Sequence, residues 1–482
     1  MKQHILLHKN SSRIAVYEND IYLTYRELFE IAQSVVKDIN DVVTTRAHVA
    51  ILLPNSIDYV VSYTSLIISD HVIVPIYNNA TVEEIVNTVE FCDVSLVITN
   101  KTGVDKLLET NPRHMVFVYD ISTRNLRIIG DIRRVPDIHS LKDTFVMIGT
   151  SGSTSKSKRV MLSNSNILSN VDSIVKSLGY GKSEKMLLML PLSFASANTS
   201  QLCVSLVLGS SLYIYTGAYY PKLVYEAMKK YEITSTTLVP TLVKTLLSDN
   251  TFVDNELPNL RKICFGGATT DTVTYSRMME SKLKDKFVHL YGQTETSPRI
   301  AHLHFENESY KIPSVGKPLD GVEVCTLRED PDSKEGELLV RGPNVMQGYY
   351  KSDIEITSDG WLSTGDIGYI DDDGYVFITG RKKNIIIYSG MNIYAEEVEE
   401  VICNHSSVKE AIVVGMTSSQ YGEIPVAKVV LKPGSQTTES ELRQFCVRKL
   451  SQYKVPTKFI FVDELPKTQN GKILHTKEIT NG

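Results

Sequence analysis

Short apolar runs alternate with helical patterns from the N-terminus to about residue 130. The runs at residues 48–53, 72–76 and 95–99 predict buried strands, and the periodic apolar positions at residues 57–68 predict a helix. Strands that alternate with helices in this way are typical of a doubly wound parallel sheet. This part of the chain is therefore predicted to be an α/β subdomain.

Two capping boxes mark helix starts in the same region. Thr24 precedes Glu27 by three residues, and Thr81 has the same relation to Glu84. In such a pair the hydroxyl and the carboxylate each accept a hydrogen bond from a backbone N–H that the helix leaves unpaired. We therefore predict that helices begin immediately after Thr24 and Thr81.

A second α/β stretch covers residues 143–324. Its predicted strands lie at residues 186–190, 211–215, 236–239 and 262–265. From Gly336 the pattern becomes β-rich, with a strand predicted at residues 337–341 and a hairpin turn at residues 371–374. The last hundred residues alternate strands and helices on a smaller scale, at residues 408–414, 427–431 and 439–450. A charged tetrapeptide at residues 381–384 interrupts two apolar runs, so we predict a domain boundary near Gly380.

The composition is that of a globular protein, with 42% hydrophobic and 22% charged residues among 482. The balance of 51 Lys and Arg against 56 Asp and Glu, a net charge of −5, gives no electrostatic reason to expect a nucleic-acid partner. The six cysteines include no Cys-x-x-Cys pair, so neither structural zinc nor a disulfide framework is expected. The N-terminus lacks the apolar stretch of a signal peptide, and no run reaches the ~18 apolar residues of a membrane helix. These features predict a cytoplasmic, enzyme-sized protein.

A loop rich in hydroxyl groups and cations precedes a helical pattern in the second stretch. It reads Thr150-Ser151-Gly152-Ser153-Thr154-Ser155-Lys156-Ser157-Lys158-Arg159-Val160. Backbone N–H groups, hydroxyls and positive charges together suit the binding of a polyphosphate. The loop is not a Walker A motif, because Ser157 stands where that motif has its second glycine. On this segment alone, a serine-rich surface linker is an equally good interpretation.

Three further segments could bind a ligand, and each also has an ordinary structural interpretation. Tyr291-Gly292-Gln293-Thr294-Glu295 follows an apolar strand, where it could bind a base, a phosphate and Mg²⁺, or form a polar turn. Asp366 could accept hydrogen bonds from ribose hydroxyls, although aspartate after glycine commonly forms a turn. Lys472 follows the turn-forming pair Asn470-Gly471 and, taken alone, would be an exposed hairpin lysine.

Taken together, these segments resemble the adenylate-forming superfamily, which comprises acyl-CoA synthetases, peptide-synthetase adenylation domains and luciferases. The order and approximate spacing match over nearly the whole chain. Further matching segments are Gly266-Gly267-Ala268, residues 336–343 and 348–350, Gly380-Arg381, Ser389-Gly390-Met391-Asn392-Ile393 and Glu396-Glu397-Val398-Glu399.

The resemblance implies an α/β fold with two parts. Residues 1–380 would form a large domain for ATP and carboxylate, made of two doubly wound α/β subdomains and a β-barrel-like subdomain. Residues 381–482 would form a small, mobile α+β lid with its hinge at Lys383. The lid would deliver Lys472 for formation of an acyl-adenylate and then rotate for transfer of the acyl group to a thiol.

The resemblance also implies the site residues. Catalysis would involve Lys472, Thr294 and Glu295, with Mg²⁺ on Thr154 and Glu295. The residues that would bind ATP or AMP are Thr150, Ser151, Gly152, Ser153, Thr154, Lys158, Gly266, Gly267, Ala268, Tyr291, Gly292, Gln293, Thr294, Asp366, Ile378, Arg381 and Lys472. Those that would contact the acid are Phe194, Ala195, Asn198, Gly267 and Gly292, and those that would line the thiol tunnel are Ser389 and Gly390.

The chain departs from the family pattern in the phosphate loop. Ser155, Ser157 and Arg159 replace Gly, Pro and Gly, so the loop is expected to be more basic and less able to adopt positive φ. Positive charge for the phosphates is expected from Lys156, Lys158, Arg159, Arg381 and Lys472. His475 stands where the family usually has Arg.

The acid is expected to lack an α-amino group. Amino-acid-activating relatives have a Phe-Asp pair whose carboxylate binds the ammonium, and the matching pair here is Phe194-Ala195. A buried ammonium without a counter-charge would be costly, so a fatty or aryl acid is favoured, with an unusual amino acid still open.

The function predicted from these residues is ATP- and Mg²⁺-dependent formation of an acyl-adenylate with release of pyrophosphate, followed by transfer to CoA. One alternative is transfer to the phosphopantetheine of an acyl or peptidyl carrier protein. Another, from a different class, is a catalytically weakened nucleotide-binding protein. No nucleic-acid partner or membrane span is expected, and both a monomer and a homodimer are compatible with the sequence.

Overall fold

The computed structural model describes residues 1–131, 141, 143–150, 158–268, 270–352, 356–388, 391–418, 421–450, 452–467, 473 and 475. The chain divides into two compact units. The first comprises Met1–Ile312, Gly316–Glu323 and Arg341–Gly360. The second comprises Pro313–Val315, Val324–Val340 and Trp361–Gly482.

Within the described residues, the first unit contains a nine-stranded sheet. Its strands, in spatial order, are Lys317–Pro318, Ala301–His304, Phe287–Tyr291, Lys262–Gly266, Ser235–Leu238, Lys185–Leu188, Ser211–Ile214, Ile14–Glu18 and Ile21–Thr24. The strands from Phe287–Tyr291 to Ile14–Glu18 pair in parallel, and those at both edges pair antiparallel. The parallel strands therefore present their carboxyl ends at one edge of the sheet.

A second sheet in the first unit has eight strands among the described residues. In spatial order they are Gly348–Tyr349, Arg159–Ser163, Thr144–Gly149, Val72–Pro75, His48–Leu52, Val94–Thr99, Val116–Asp120 and Asn125–Ile129. Its central strands are parallel, and almost all of their side chains are buried. Strands that are covered on both faces read as continuous apolar runs, which is why the sequence pattern located them. The two sheets confirm the predicted α/β class.

Two helices of the first unit begin where the capping boxes predicted them, after Thr24 and Thr81. Thr24 N donates to Glu27 Oε2 at 2.8 Å, and Glu27 N donates back to Thr24 Oγ1 at 3.3 Å. Thr81 and Glu84 form the same reciprocal pair. The α-helices are Lys2–Leu6, Tyr25–Asn40, Ile57–Ser69, Val82–Phe91, Lys101–Leu108, Asn164–Leu178, Ala195–Ala197, Val204–Leu208, Pro221–Lys230, Pro240–Leu247, Asn250–Asp254, Thr272–Glu280 and Phe305–Glu308. Asn198–Cys203 is a π-helix, and the 3₁₀ turns are Lys284–Lys286, Thr294–Thr296 and Ser309–Lys311.

The β-rich region forms a four-stranded sheet that lies mainly in the second unit. In order, its strands are Glu323–Leu327, Gly336–Arg341, Leu362–Ile370 and Val376–Arg381. The hairpin turn predicted at residues 371–374 joins the last two strands. Asp371 Oδ1 accepts hydrogen bonds from the backbone N–H groups of Asp373 and Tyr375, and Gly374 has a φ of +85°.

The rest of the second unit is a small α+β structure. Its sheet runs Met391–Tyr394, Ile385–Tyr388, Gly422–Leu431, Val408–Ser418, with Lys458–Phe461 also paired to Gly422–Leu431. The α-helices Ala395–Cys403 and Glu439–Val447 pack on it, and the 3₁₀ turns are Lys382–Asn384 and Gln452–Lys454. None of the helices in the described part of the chain has the length and apolar character needed to cross a membrane.

Candidate active site

Two of the predicted nucleotide segments meet at the carboxyl edge of the nine-stranded sheet. Phe287–Tyr291 pairs in parallel with Lys262–Gly266, and Leu290 stands opposite Gly266. Tyr291 is only 6% exposed at the end of its strand. The segments that follow the two strands therefore emerge side by side, where ligands bind in open α/β sheets.

Gly267 leaves open space at this edge. Its φ is +88°, and a Cβ atom placed on it would have no protein atom within 4 Å. Glycine adopts this backbone conformation without steric cost, so the turn can present bare backbone to a ligand. The geometry suits a flat group lying beside Tyr291.

Gly292 turns the chain sharply after Tyr291. A Cβ atom on Gly292 would lie 1.8 Å from the carbonyl oxygen of Pro298, so no other residue fits without movement of the backbone. This close approach shapes the turn that carries Gln293, Thr294 and Glu295. All three side chains are partly exposed.

The predicted phosphate loop connects two antiparallel strands. Thr144–Gly149 pairs with Arg159–Ser163, and Thr150 N donates to the carbonyl oxygen of Lys158 at 3.1 Å. The strands on either side of the loop are therefore paired as a hairpin. The predicted site residues Ser151, Gly152, Ser153 and Thr154 lie outside the described residues.

Tyr349 links the base of this loop to Glu295. The Nζ atom of Lys158 lies 4.3 Å from the centroid of the Tyr349 ring, and the Tyr349 hydroxyl donates to Glu295 Oε1 at 2.9 Å. Met346 N also donates to the carbonyl oxygen of Glu295. The structure therefore places Lys158, at the end of the phosphate loop, and Glu295 on the same tyrosine. The sequence analysis quoted Tyr349 within a matching segment but did not assign it a role.

The Arg159 side chain turns into the protein, so its contacts give no support to the expectation that it supplies charge to the phosphates. It is buried, and its Nη2 donates to Thr88 Oγ1 at 2.5 Å. Its guanidinium occupies the space that the missing side chain of Gly149 leaves, since a Cβ there would lie 2.7 Å from Arg159 Nη1. The cation is held within the hairpin and packs against the helix Val82–Phe91.

The predicted acid-binding segment has one exposed and one buried part. The Phe194 ring stacks on Tyr77 with centroids 5.4 Å apart and remains partly exposed. Asn198 is fully buried, where Oδ1 accepts from the Tyr63 hydroxyl at 2.7 Å and Nδ2 donates to Leu192 O. The Asn198 amide is thus engaged by core groups, and these contacts give no support to a direct role in binding the acid.

The second unit holds Asp366 and Arg381 as an ion pair on adjacent strands. Asp366 is buried, and Arg381 Nε lies 2.6 Å from Asp366 Oδ1. Asp366 N donates to Thr364 Oγ1, whose hydroxyl in turn donates to Leu338 O at 2.6 Å. Ile378 lies on the same strand as Arg381, opposite Gly368. The carboxylate is therefore rigidly held and oriented.

The lysine segment of the second unit is anchored on both sides of Lys472. Lys467 pairs with Ile473 in an isolated β-bridge, and His475 Nε2 lies 2.7 Å from Glu399 Oε1. Lys472 itself lies outside the described residues, as do Ser389 and Gly390. Lys383 falls in the turn Lys382–Asn384, and its side chain is not described.

The fold and these segments are those of an enzyme that binds a nucleotide. A family model for the AMP-binding enzymes matches residues 6–350, and one for the C-terminal domain of these enzymes matches residues 397–472. The chain therefore belongs to the AMP-binding enzyme family, the adenylate-forming superfamily expected from its motifs, and it is an AMP-forming acid–thiol ligase.

Individual relatives agree with this assignment. The chain is 30% identical over 472 residues to a 2-succinylbenzoate–CoA ligase of Bacillus licheniformis, with 96% of each chain covered. It is 30% identical to a long-chain-fatty-acid–CoA ligase of Bacillus subtilis, covering 89% of this chain and 84% of the relative. The o-succinylbenzoate CoA synthetase of Bacillus subtilis, solved with its acyl-adenylate intermediate, matches with a TM-score of 0.86 and 26% identity over 99% of this chain and 98% of that one.

Proposed function

We propose that this enzyme uses ATP to convert a carboxylic acid without an α-amino group into an acyl-adenylate, with release of pyrophosphate. It then transfers the acyl group to the thiol of CoA. The observation that carries the proposal is the arrangement beyond the carboxyl end of the strand Phe287–Tyr291. The open Gly267 turn and Tyr291 provide a place for a base, and the Lys158–Tyr349–Glu295 contacts provide places for a phosphate chain and Mg²⁺.

In the first step, a carboxylate oxygen of the acid attacks the α-phosphorus of ATP, and the bond from that phosphorus to pyrophosphate breaks. Both reactants are anions, so the site must offset the charge on the phosphoryl oxygens. We assign Thr294 as a hydrogen-bond donor to the α-phosphate and Lys472 as the mobile cation. A lysine suits this role because its compact charge sits on a flexible stem.

Magnesium fits the donor set. Glu295 offers a carboxylate and Thr154 a hydroxyl, which are the hard oxygen ligands that Mg²⁺ prefers together with water and substrate phosphates. When bound, the ion would offset negative charge on the phosphates. The Tyr349 hydroxyl orients the Glu295 carboxylate. The o-succinylbenzoate CoA synthetase of Bacillus subtilis has been solved with ATP and magnesium, at a TM-score of 0.85.

In the second step, the sulfur of the thiol attacks the acyl carbonyl, the bond from the acyl carbon to AMP breaks, and AMP leaves. We propose that residues 381–482 act as the lid, that Lys383 is its hinge, and that Ser389 and Gly390 line the path of the thiol. Asp366 would accept hydrogen bonds from the ribose hydroxyls, with Arg381 holding its carboxylate. These roles rest on the family resemblance.

CoA is the acceptor that we favour, because the named relatives are CoA ligases. Phe194-Ala195 offers no carboxylate for an ammonium, which supports an acid without an α-amino group. Carrier-protein phosphopantetheine is the alternative acceptor.

A pyrophosphate-release assay with an acid panel, with and without CoA, tests the proposal. The panel should contain α-amino acids, fatty acids, benzoates and 2-succinylbenzoate. We expect release with at least one non-amino acid and an acyl-CoA product when CoA is added. Efficient release with α-amino acids alone would contradict the assigned acid class. Nucleotide binding without release for any acid would favour the catalytically weakened protein.

A further inference from the structure

A buried arginine lies next to the acid-binding segment. Arg299 follows the turn that begins at Gly292, and it is 6% exposed. Its backbone is held by two buried asparagines: Arg299 N donates to Asn170 Oδ1 at 3.1 Å, and the Nδ2 atoms of Asn170 and Asn344 each donate to Arg299 O at 2.9 Å. The backbone position of this arginine is therefore well determined.

The guanidinium of Arg299 has no anionic partner among the described residues. Its Nη2 donates to Ser196 Oγ at 3.0 Å, a neutral acceptor, and no described carboxylate forms an ion pair with it. Burial lowers the pKa of Arg299 to about 10, and the nearby Tyr180 and Cys264 are buried groups whose own pKa values are raised. A guanidinium carries five N–H donors, so most of its hydrogen-bonding capacity is not used by the protein side chains described.

Among the residues that the structure describes, none near the guanidinium supplies a compensating negative charge. Burial and the charge of Arg299 hold the pKa of His302 well below its ordinary value, so this neighbouring imidazole is neutral. An isolated cation in such a place is costly, and buried charges in proteins are normally paired. A protein keeps an arginine there when something else supplies the anion.

The position of Ser196 indicates where that anion comes from. Ser196 lies in the short helix Ala195–Ala197, next to the Phe194-Ala195 pair assigned to the acid. On the other side, a Cβ atom on Gly292 would lie 3.1 Å from Arg299 Cα. Arg299 thus lies close to both segments that the family resemblance assigns to the acid.

We propose that Arg299 binds a second anionic group of the substrate, so that the acid is a dicarboxylic acid with one carboxylate activated and the other paired with the guanidinium. Arginine suits this task because its planar fork binds a carboxylate through two parallel hydrogen bonds. This inference rests on the proposed acid activation and specifies its substrate class.

The test compares each dicarboxylic acid with its monoamide, which has the same shape and one negative charge fewer. The panel holds 2-succinylbenzoate and aliphatic dicarboxylic acids of increasing length, and kcat and KM are measured by pyrophosphate release. We expect the enzyme to prefer the diacid by roughly 10- to 100-fold in kcat/KM. Arg299→Gln should remove the preference, mainly through KM for the diacid, with the affinity for ATP unchanged. Equal losses for diacid and monoamide would show a structural role and overturn the inference.

Two further variants and a binding measurement separate the possible failures. Ser196→Ala removes the neutral hydrogen bond but leaves the cation, so it should retain the preference. Arg299→Lys keeps the positive charge but lacks the planar guanidinium, so it should retain part of the preference for the diacid. Thermal unfolding in the absence of ATP measures how much each diacid stabilises the enzyme. If diacids stabilise the enzyme but not Arg299→Gln, while no acid gives pyrophosphate, the proposed reaction fails and the anion site stands. If pyrophosphate is released equally from monocarboxylic acids, the reaction stands and the anion site fails.

Discussion

The two units hold their functional side chains by different means. In the first unit, the site lies at the ends of buried strands, and its supports are packing and hydrogen bonds, such as the Tyr349 hydroxyl on Glu295 and the Asn170 amide on the Arg299 backbone. In the second unit, the supports include ion pairs. They join Asp366 to Arg381 and Glu337 to Lys382, and Glu399 Oε1 also lies 2.7 Å from His475 Nε2.

This difference suits the two proposed tasks. A pocket that must recognise an acid and a base benefits from a fixed shape, which buried strands provide. A lid of residues 381–482 that must deliver Lys472 and withdraw it would turn beside the charged pairs Asp366–Arg381 and Glu337–Lys382. If the tasks are separate, variants in one unit should impair one step and leave the other in place.

The largest expected effect is the loss of the first step in Lys472→Ala. If the second unit contributes mainly this cation, adenylation should fall about 100- to 1000-fold, the usual loss when one group that stabilises transition-state charge is removed. Thiolysis of a supplied acyl-adenylate should be largely retained. Pyrophosphate release measures the first reaction, and acyl-CoA formation from the synthetic adenylate measures the second.

Gly390→Trp is the matched variant for the second step. By obstructing the proposed thiol path it should impair acyl-CoA formation and leave pyrophosphate release in place. Equal loss of both half-reactions in Lys472→Ala, or unchanged thioester formation in Gly390→Trp, would contradict the two-step lid.

The sequence predicted the fold better than it predicted the side chains around the site. Apolar runs and the Thr24 and Thr81 capping boxes locate strands and helices because they are local signals. Asn198 was assigned from the family pattern and Arg159 was expected to add charge where the family has Gly, whereas the structure places both side chains inside the protein, on Tyr63 and Thr88. Such partners come from distant parts of the chain, so spacing along the sequence does not reveal them.

Arg299 and Tyr349 show the converse. Each was present in or next to a segment already singled out, but burial and partners were needed to see that one lacks a counter-ion and the other orients Glu295. In the sequence, the sign of a buried cation was an arginine eight residues after Tyr291 with apolar neighbours on both sides.

The two units should respond to pH in opposite directions, because burial shifts the pKa of His71 and that of Glu399 differently. Burial lowers the pKa of His71, in the first unit, from 6.5 to about 4. The unfolded chain therefore takes up the proton first, and the contribution of neutral His71 to stability is present above pH 6.5 and lost as the pH falls towards 4. We expect His71 to account for a loss of about 2 kcal/mol in the free energy of unfolding of the first unit between pH 7 and pH 5. His71→Gln, which keeps an acceptor for Ala47 N, should remove this share of the loss, while the buried imidazoles of His48 and His302 keep theirs.

In the second unit, we expect Glu399 to change stability with pH in the opposite direction. Burial raises the pKa of Glu399, despite the nearby His475, so the fold favours the protonated carboxyl. Its contribution is full below the ordinary value of 4.5 and declines as the pH rises through the raised value. Trp361, the only tryptophan, lies in the second unit and reports its unfolding by fluorescence, while hydrogen exchange in Ile57–Ser69 reports the first. The same pH dependence in both units would contradict the contrast.

The smallest expected effect tests whether the first unit acts through a neutral hydrogen bond. Tyr349→Phe removes the hydroxyl on Glu295 but keeps the ring beneath Lys158, so adenylation should fall roughly fivefold, equivalent to about 1 kcal/mol. Tyr350→Phe is the matched control, because its hydroxyl donates to Asp93 instead. It should leave adenylation within about twofold of the unchanged enzyme. Since the lost bond has a neutral donor, the ratio of the two rates should vary little with salt. A strong dependence on salt would mean that Lys158 acts through its charge, and the first unit would then resemble the second.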